Sequence, residues 1–300
     1  MQGSFFMTMR VVFIFCLLLI VIGCNDGTNY RGQVDNLAAE SERSDKISLF
    51  QYLDSLDSTA ANPRELDSLE QELANFLHYQ ANKETVVQQN HFHLLLDRLQ
   101  GRNNLLEFFL EKIPFYLNNP ESPYYNNEFF VSFLKATINE PAIKDEVKIA
   151  HKALLPLINI NRVGTRASDF RFETLSLGES SLYETKGDYT LLFFFDPTCT
   201  HCKEQLNALK ESEGFRNFLN NKSITFLLVN PWGNKVEWQK YAQNLPSRWI
   251  IGFDSNQNII NDGLFYLKAA PTVYLLDEKK HVLLKNTQID VAINFVLKDK

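Results

Sequence analysis

The sequence predicts an α-helical N-terminal domain followed by an α/β domain in which a central mixed sheet is flanked by helices. Three observations predict it. Apolar residues recur at three- and four-residue spacing from about Ile47 to Ile160, the period of a helix face. Beyond Arg166 the pattern changes to short alternating or wholly apolar runs, as in strands. Those runs then alternate with further helical stretches, and such an order builds a sheet with helices packed against it.

The helical part divides at its punctuation. Asn62-Pro63 offers a cap followed by proline at the first helical position, and Leu66, Leu69, Leu73, Phe76 and Leu77 then share one face. A second helix is expected from about Glu84 to Leu99, stopped by Gly101. A third is expected from Asn103 to Leu117, carrying Leu105, Phe108, Phe109 and Ile113, with Pro114 kinking or shortening it. Asn118 to Pro123 is a turn-rich break, and two more helices are expected near Asn126–Ile138 and Ala142–Leu155. His91 and His93 are two residues apart, so on a helix they do not share a face and are badly placed to chelate a metal.

Arg162 to Arg166 reads as a short linker. Asp169 to Leu175 alternates as a half-buried strand does, and Tyr189 to Phe195 is apolar enough for a central strand buried on both faces. A helix then runs past Cys199 through Leu206 and Leu209. Ile224–Val229 is a buried strand, Lys235–Gln243 a helix and Trp249–Phe253 a strand. Thr272–Leu276 and Val282–Lys285 form a hairpin, and a terminal helix covers about Asp290–Leu297. No fixed-period repeat is evident.

The 300 residues suffice for two modest domains, and 45% hydrophobic residues supply their cores. The first 23 residues contribute one charge, Arg10, which leaves 29 basic against 36 acidic residues beyond them. That balance argues against a nucleic-acid partner, which a clustered basic face would favour.

Arg10, the apolar run Val11–Ile22 and Gly23 together have the form of a secretory signal. The run is short for a transmembrane helix, which needs roughly 20 apolar residues. An uncleaved anchor or a buried helix is the alternative. Val21-Ile22-Gly23-Cys24 resembles the lipobox of bacterial lipoproteins. The resemblance implies that residues 1–23 are removed and that Cys24 carries lipid as the first mature residue, placing the chain on the outer side of a bacterial membrane. Residues 24–46 are polar and read as a tether, followed by a helical domain over 47–161 and a second domain over 164–300. Cys16 would leave with the signal, so only Cys199 and Cys202 remain as a redox or metal pair. An exported pair can cycle between dithiol and disulfide. Zinc needs four ligands, and no second cysteine pair exists to join this one; His201 and His281 are the residues that could be conscripted. No metal or cofactor is expected.

Cys199-Thr200-His201-Cys202 sits where a buried strand gives way to a helix. The first cysteine of such a pair meets backbone N–H groups without intrahelical partners, which together with the helix dipole favour a thiolate. His201 adds a neighbour that can be cationic. Cys202 lies nearly one turn on, close enough to resolve a mixed disulfide.

The run Phe193-Phe194-Phe195-Asp196-Pro197-Thr198-Cys199-Thr200-His201-Cys202-Lys203 resembles the active-site segment of the thioredoxin superfamily, most closely the extracytoplasmic thiol-disulfide oxidoreductases of the TlpA/ResA type. Ala270-Pro271-Thr272-Val273-Tyr274 is similar to the family's second signature, a cis-proline loop beside the redox pair. The likeness runs from about Gly164 to the C-terminus and implies a thioredoxin-like fold. It further implies Cys199 as nucleophile, Cys202 as resolving thiol, and Ala270, Pro271 and Thr272 as a loop that contacts substrate by strand addition. The helical half, including Tyr116 to Pro123, resembles an uncharacterised domain that precedes thioredoxin-like domains in Bacteroidetes-type lipoproteins.

The likeness has departures. A buried acid six residues before the first cysteine is replaced by Phe193, and a Glu three residues after the second by Gln205. The resemblance implies that these acids manage the proton of the second thiol, which leaves water or Glu204 for that task here. Two functions from different classes follow. One is a membrane-tethered enzyme exchanging disulfides with envelope proteins. The resemblance implies a reductase fed by a membrane electron donor, whereas a histidine inside the pair favours a more oxidising disulfide. The other is a binding or assembly lipoprotein in which the helical domain recognises a partner and the redox domain acts as a clamp. A thiol peroxidase fits less well, because its Thr-x-x-Cys pattern is not evident.

Overall fold

A computed structural model describes residues 48–56, 63–176, 178–221 and 224–299. The expected signal, the lipidated Cys24 and the tether lie outside these residues. Among the described residues, no helix is long and apolar enough to cross a membrane.

The chain forms two compact units that divide between Phe108 and Phe109. The first holds helices α1 (Ser48–Ser55), α2 (Pro63–Gln80) and α3 (Thr85–Arg98) and the start of α4 (Asn103–Leu117). The face read from the sequence is the buried one: Leu69, Leu73, Phe76 and Leu77 of α2 are almost wholly enclosed. Phe76 meets Phe50 of α1 and Phe92 of α3 with ring centroids 5.8 and 5.9 Å apart, within the range of favourable aromatic pairing. Gly101, at φ +75°, lets the chain leave α3 in a left-handed conformation that side chains resist. His91 is buried and His93 only partly so, as different helix faces require.

The second unit contains the remainder of the chain. Pro114 does not shorten α4; the helix runs to Leu117. Proline lacks the N–H that would reach back to the fourth residue before it, while the carbonyl of Pro114 still accepts from the Asn118 amide at 3.0 Å and closes the following turn. Pro156 likewise sits inside α6 (Asp145–Asn159), which extends past the expected end at Leu155. That helix also starts later than expected, at a first turn carrying Asp145 and Glu146, whose charges suit a helix N-terminus. Between them, α5 (Asn127–Asn139) is capped by Asn126, whose side-chain oxygen accepts from the Phe129 amide at 3.0 Å.

Seven strands make one mixed sheet: β1 (Arg171–Thr174), β2 (Gly178–Ser181), β3 (Tyr189–Phe194), β4 (Ile224–Asn230), β5 (Ile250–Phe253), β6 (Thr272–Asp277) and β7 (Val282–Lys285). Their order is β2-β1-β5-β4-β3-β6-β7. β3 pairs parallel with β4 and antiparallel with β6, and β4 pairs parallel with β5. Alternation along β3 sends Leu191 and Phe193 to one face and Leu192 and Phe194 to the other, all four fully enclosed. The first face packs on α7 (Thr200–Glu211), α8 (Glu213–Asn221), α9 (Lys235–Ala242) and α11 (Ile289–Lys298).

Strand β2, helix α8 and the short α10 (Asn258–Asn261) are additions to the expected elements. Gly178-Glu179-Ser180-Ser181 carries no apolar alternation and is a strand only because β1 holds it in antiparallel register, Arg171 against Ser181. For α8 a signal exists: Phe215, Phe218 and Leu219 recur at helical spacing, and all three are buried.

The expected linker is also structural. Gly164 N donates to Val282 O at 2.8 Å, Val282 N to Thr165 O at 2.9 Å, and Ala167 N to Lys280 O at 2.8 Å. The segment thus lies against the start of β7 and the turn before it. Lys285, buried on that strand, turns its ammonium to the carbonyls of Ile158 at 2.7 Å and Ile160 at 2.5 Å, at the end of α6.

Candidate active site

β3 delivers the chain into a tight turn. Asp196 Oδ1 accepts from both the amide and the hydroxyl of Thr198 at 2.7 Å, and its carbonyl accepts from the Cys199 amide at 3.0 Å. Cys199 is thereby held as the N-cap of α7, with its sulfur accepting from the Cys202 amide at 3.2 Å. The Cys199 thiol also lies 3.5 Å from the carbonyl oxygen of Ala270.

Cys202 has the opposite surroundings. Its side chain is fully enclosed in a core with Phe193, Phe195, Leu206 and Val273. Burial, reinforced by the Cys199 sulfur beside it, pushes the Cys202 thiol up to about 12, against the pull of a backbone hydrogen bond at Asp196. Both cysteines are free thiols.

The Ala270–Pro271 peptide is cis, and Thr272 begins β6 opposite Phe194, its hydroxyl donating to Ala269 O at 2.7 Å. The loop and the pair therefore meet at the same end of two adjacent strands. His201 is exposed on α7, its Nε2 3.1 Å from the side-chain nitrogen of Gln205. Phe193 fills the core beside Cys202, and Glu204 is exposed. On the same face, Tyr241 of α9 buries a phenol oxygen that has no hydrogen-bond partner, and the Cys202 charge raises its pKa further beyond the effect of burial. Sequence reasoning did not single out Tyr241.

His281 follows the far end of β6 and pairs with Asp277 at 2.9 Å, so it is separated from His201 by the length of that strand. Among the described residues, no cluster of three or more His, Cys, Asp or Glu side chains could hold a metal.

A groove of about 990 Å³ opens beside the pair. His201, Gln205, Ala270 and Pro271 line one side of it, and Pro120 and Glu121, from the turn after α4, line another.

Residues 163–284 match the AhpC/TSA family over the whole span from the first sheet-edge contact to β7. These residues form a thioredoxin-like domain of the AhpC/TSA type. Residues 42–161, ahead of the AhpC/TSA domain, match a domain of unknown function, DUF5106. A crystallised thioredoxin-like protein from Bacteroides caccae is similar over 78% of this chain and 84% of its own, at 29% identity and a TM-score of 0.69. The likeness to that protein thus extends beyond the AhpC/TSA domain into the helical part. The C-terminal domain of an uncharacterised Bacteroides fragilis protein aligns over 46% of this chain and 98% of its own, at 34% identity and a TM-score of 0.44. The thioredoxin-like protein YneN of Bacillus subtilis is 27% identical over 120 residues, which are 39% of this chain and 66% of that protein.

Proposed function

We propose that this protein is a thiol-disulfide oxidoreductase of the bacterial cell envelope, tethered to a membrane by lipid on Cys24. One observation carries the chemistry: Cys199 sits at a helix N-cap with an amide on its sulfur and a backbone carbonyl in reach, while its partner is buried and kept protonated. The lipobox-like Val21–Cys24 supports the tether.

In the reducing direction the Cys199 thiolate attacks one sulfur of a substrate disulfide. A mixed disulfide forms, and the other substrate sulfur leaves as a thiolate. Cys202 then loses its proton and attacks the Cys199 sulfur. The second substrate thiol departs, and a Cys199–Cys202 disulfide remains. Two electrons have passed to the substrate, and a membrane thiol donor would restore the dithiol. The reverse sequence oxidises a substrate dithiol. The substrates are envelope proteins bearing thiols or disulfides, and the reduction potential of the pair sets the direction: a value near that of thioredoxin, about −270 mV, makes it a reductase.

Replacing Cys202 with serine removes the resolving thiol. Cys202→Ser should accumulate mixed disulfides through Cys199, visible as high-mass bands that collapse on reduction, and Cys199→Ser should not. Absence of such bands in both reducing and oxidising strains would overturn the proposal. Cys24→Ala should release the protein from membranes; continued tight association would refute the anchor.

A further inference from the structure

The turn Asn119–Glu121 is pinned against the redox face at two points. Lys268 Nζ donates to the Asn118 carbonyl at 3.1 Å, and Gln288 Nε2 donates to the Pro120 carbonyl at 3.5 Å. Lys268 lies two residues before Ala270, and Gln288 is the N-cap of α11. The turn is therefore held on both flanks of the loop that faces Cys199, and it forms a wall of the groove there. This wall belongs to the span matched to the domain of unknown function.

Besides the imidazole of His201, the ionisable side chains of the lining are both acids. Leu209, Pro271, Val273 and Ile289 supply apolar surface, and the carboxylates of Glu121 and Asp290 are both exposed. No lysine or arginine lines the groove, and the nearby Lys268 directs its ammonium to Asn118. We infer that the groove takes an extended, cysteine-bearing polypeptide segment with a lysine or arginine beside an apolar residue, and that the Asn119–Glu121 wall makes the selection. The inference rests on the disulfide-exchange reading. A cation entering beside the scissile sulfur meets two carboxylates and an acid meets repulsion, a bias that salt screens.

The test separates binding from exchange. Two dye-labelled peptides, identical but for Lys or Glu beside a central serine, are titrated by fluorescence anisotropy into full-length protein carrying Cys199→Ser and Cys202→Ser. The Lys peptide should bind about fivefold more tightly at low salt, with the gap closing as salt rises. Glu121→Gln with Asp290→Asn should abolish the preference. Glu121→Lys with Asp290→Lys should invert it, a gain that misfolding cannot produce. Equal binding of both peptides, or a preference that survives the double neutralisation, overturns the inference. So does self-association that the same substitutions abolish, because a second copy of the chain would then be the occupant. Turnover of hydroxyethyl disulfide by the unmodified protein is measured in parallel: its absence sinks the exchange reading, while the anisotropy still decides the groove.

Discussion

The amide of Cys202 donates to the sulfur of Cys199 at 3.2 Å while the Cys202 sulfur is itself enclosed in the core. One residue thus meets the Cys199 sulfur through its backbone and withholds its own side chain. A water-soluble alkylating agent should modify Cys199 and spare Cys202 in the folded, reduced protein, as peptide mass spectrometry would show. Equal labelling of both would contradict the buried thiol.

The same burial predicts a pH-dependent difference between redox states. The Cys202 thiol rises from its ordinary 9.0 to about 12 on folding. Between those values the unfolded chain loses the proton first, so the reduced protein loses stability as pH rises through that window. The disulfide form has no such proton. The oxidised protein should therefore gain in denaturant midpoint relative to the reduced protein above about pH 9; a constant difference would be the contrary result.

His91 makes the helical unit acid-sensitive. Burial, with a smaller contribution from Lys83, lowers its pKa from 6.5 to about 4. Above 6.5 neither state carries the charge; as pH falls toward 4 the unfolded chain takes up the proton first and stability declines. The decline should be on the order of 2 kcal/mol. His91→Leu should flatten it in thermal melts followed by helical circular dichroism. An unchanged acid slope would place the cause elsewhere.

Gly252 has no room for a side chain. A Cβ there would stand 2.7 Å from the ring of Phe172, which is 2% exposed on the neighbouring strand. Gly252→Ala should cost about 1–3 kcal/mol in urea denaturation. The pair Gly252→Ala, Phe172→Leu should recover part of that, and no recovery would mean that the clash is not the reason.

Lys285 ties β7 to the last carbonyls of α6. Lys285→Met keeps the aliphatic stem and removes the donor, leaving two carbonyls short of a partner. A loss of about 2 kcal/mol is expected; a neutral result would show that water replaces the ammonium.

Much of this architecture was legible because it is local. Tyr189–Phe195 reads as a buried strand from composition alone, and Cys199 follows it at a turn that Asp196 and Pro197 announce. The helical faces were legible for the same reason, down to the separation of His91 from His93. What escaped depends on partners distant in sequence. β2 exists through its register with β1, and the pinning of Asn119–Glu121 depends on Lys268 and Gln288. Pro114 misled because the loss of its N–H falls on the preceding turn, and the helix beyond it still closes. Phe193 was legible within the buried strand before the cysteines, whereas Tyr241, which shares the core of Cys202, comes from a helix whose pattern gives no hint of it.

The strip Gly164–Ala167 has a consequence for self-association. An open strand edge is a template on which other chains can add, and β7 would be one without the three backbone bonds that this strip makes to Lys280 and Val282. A chain begun at Ser168 would bare the Lys280–Val282 stretch and should self-associate more than one begun at Arg162, as sedimentation would show. The short segment between α6 and β1 therefore works as a sealing strip over the start of β7.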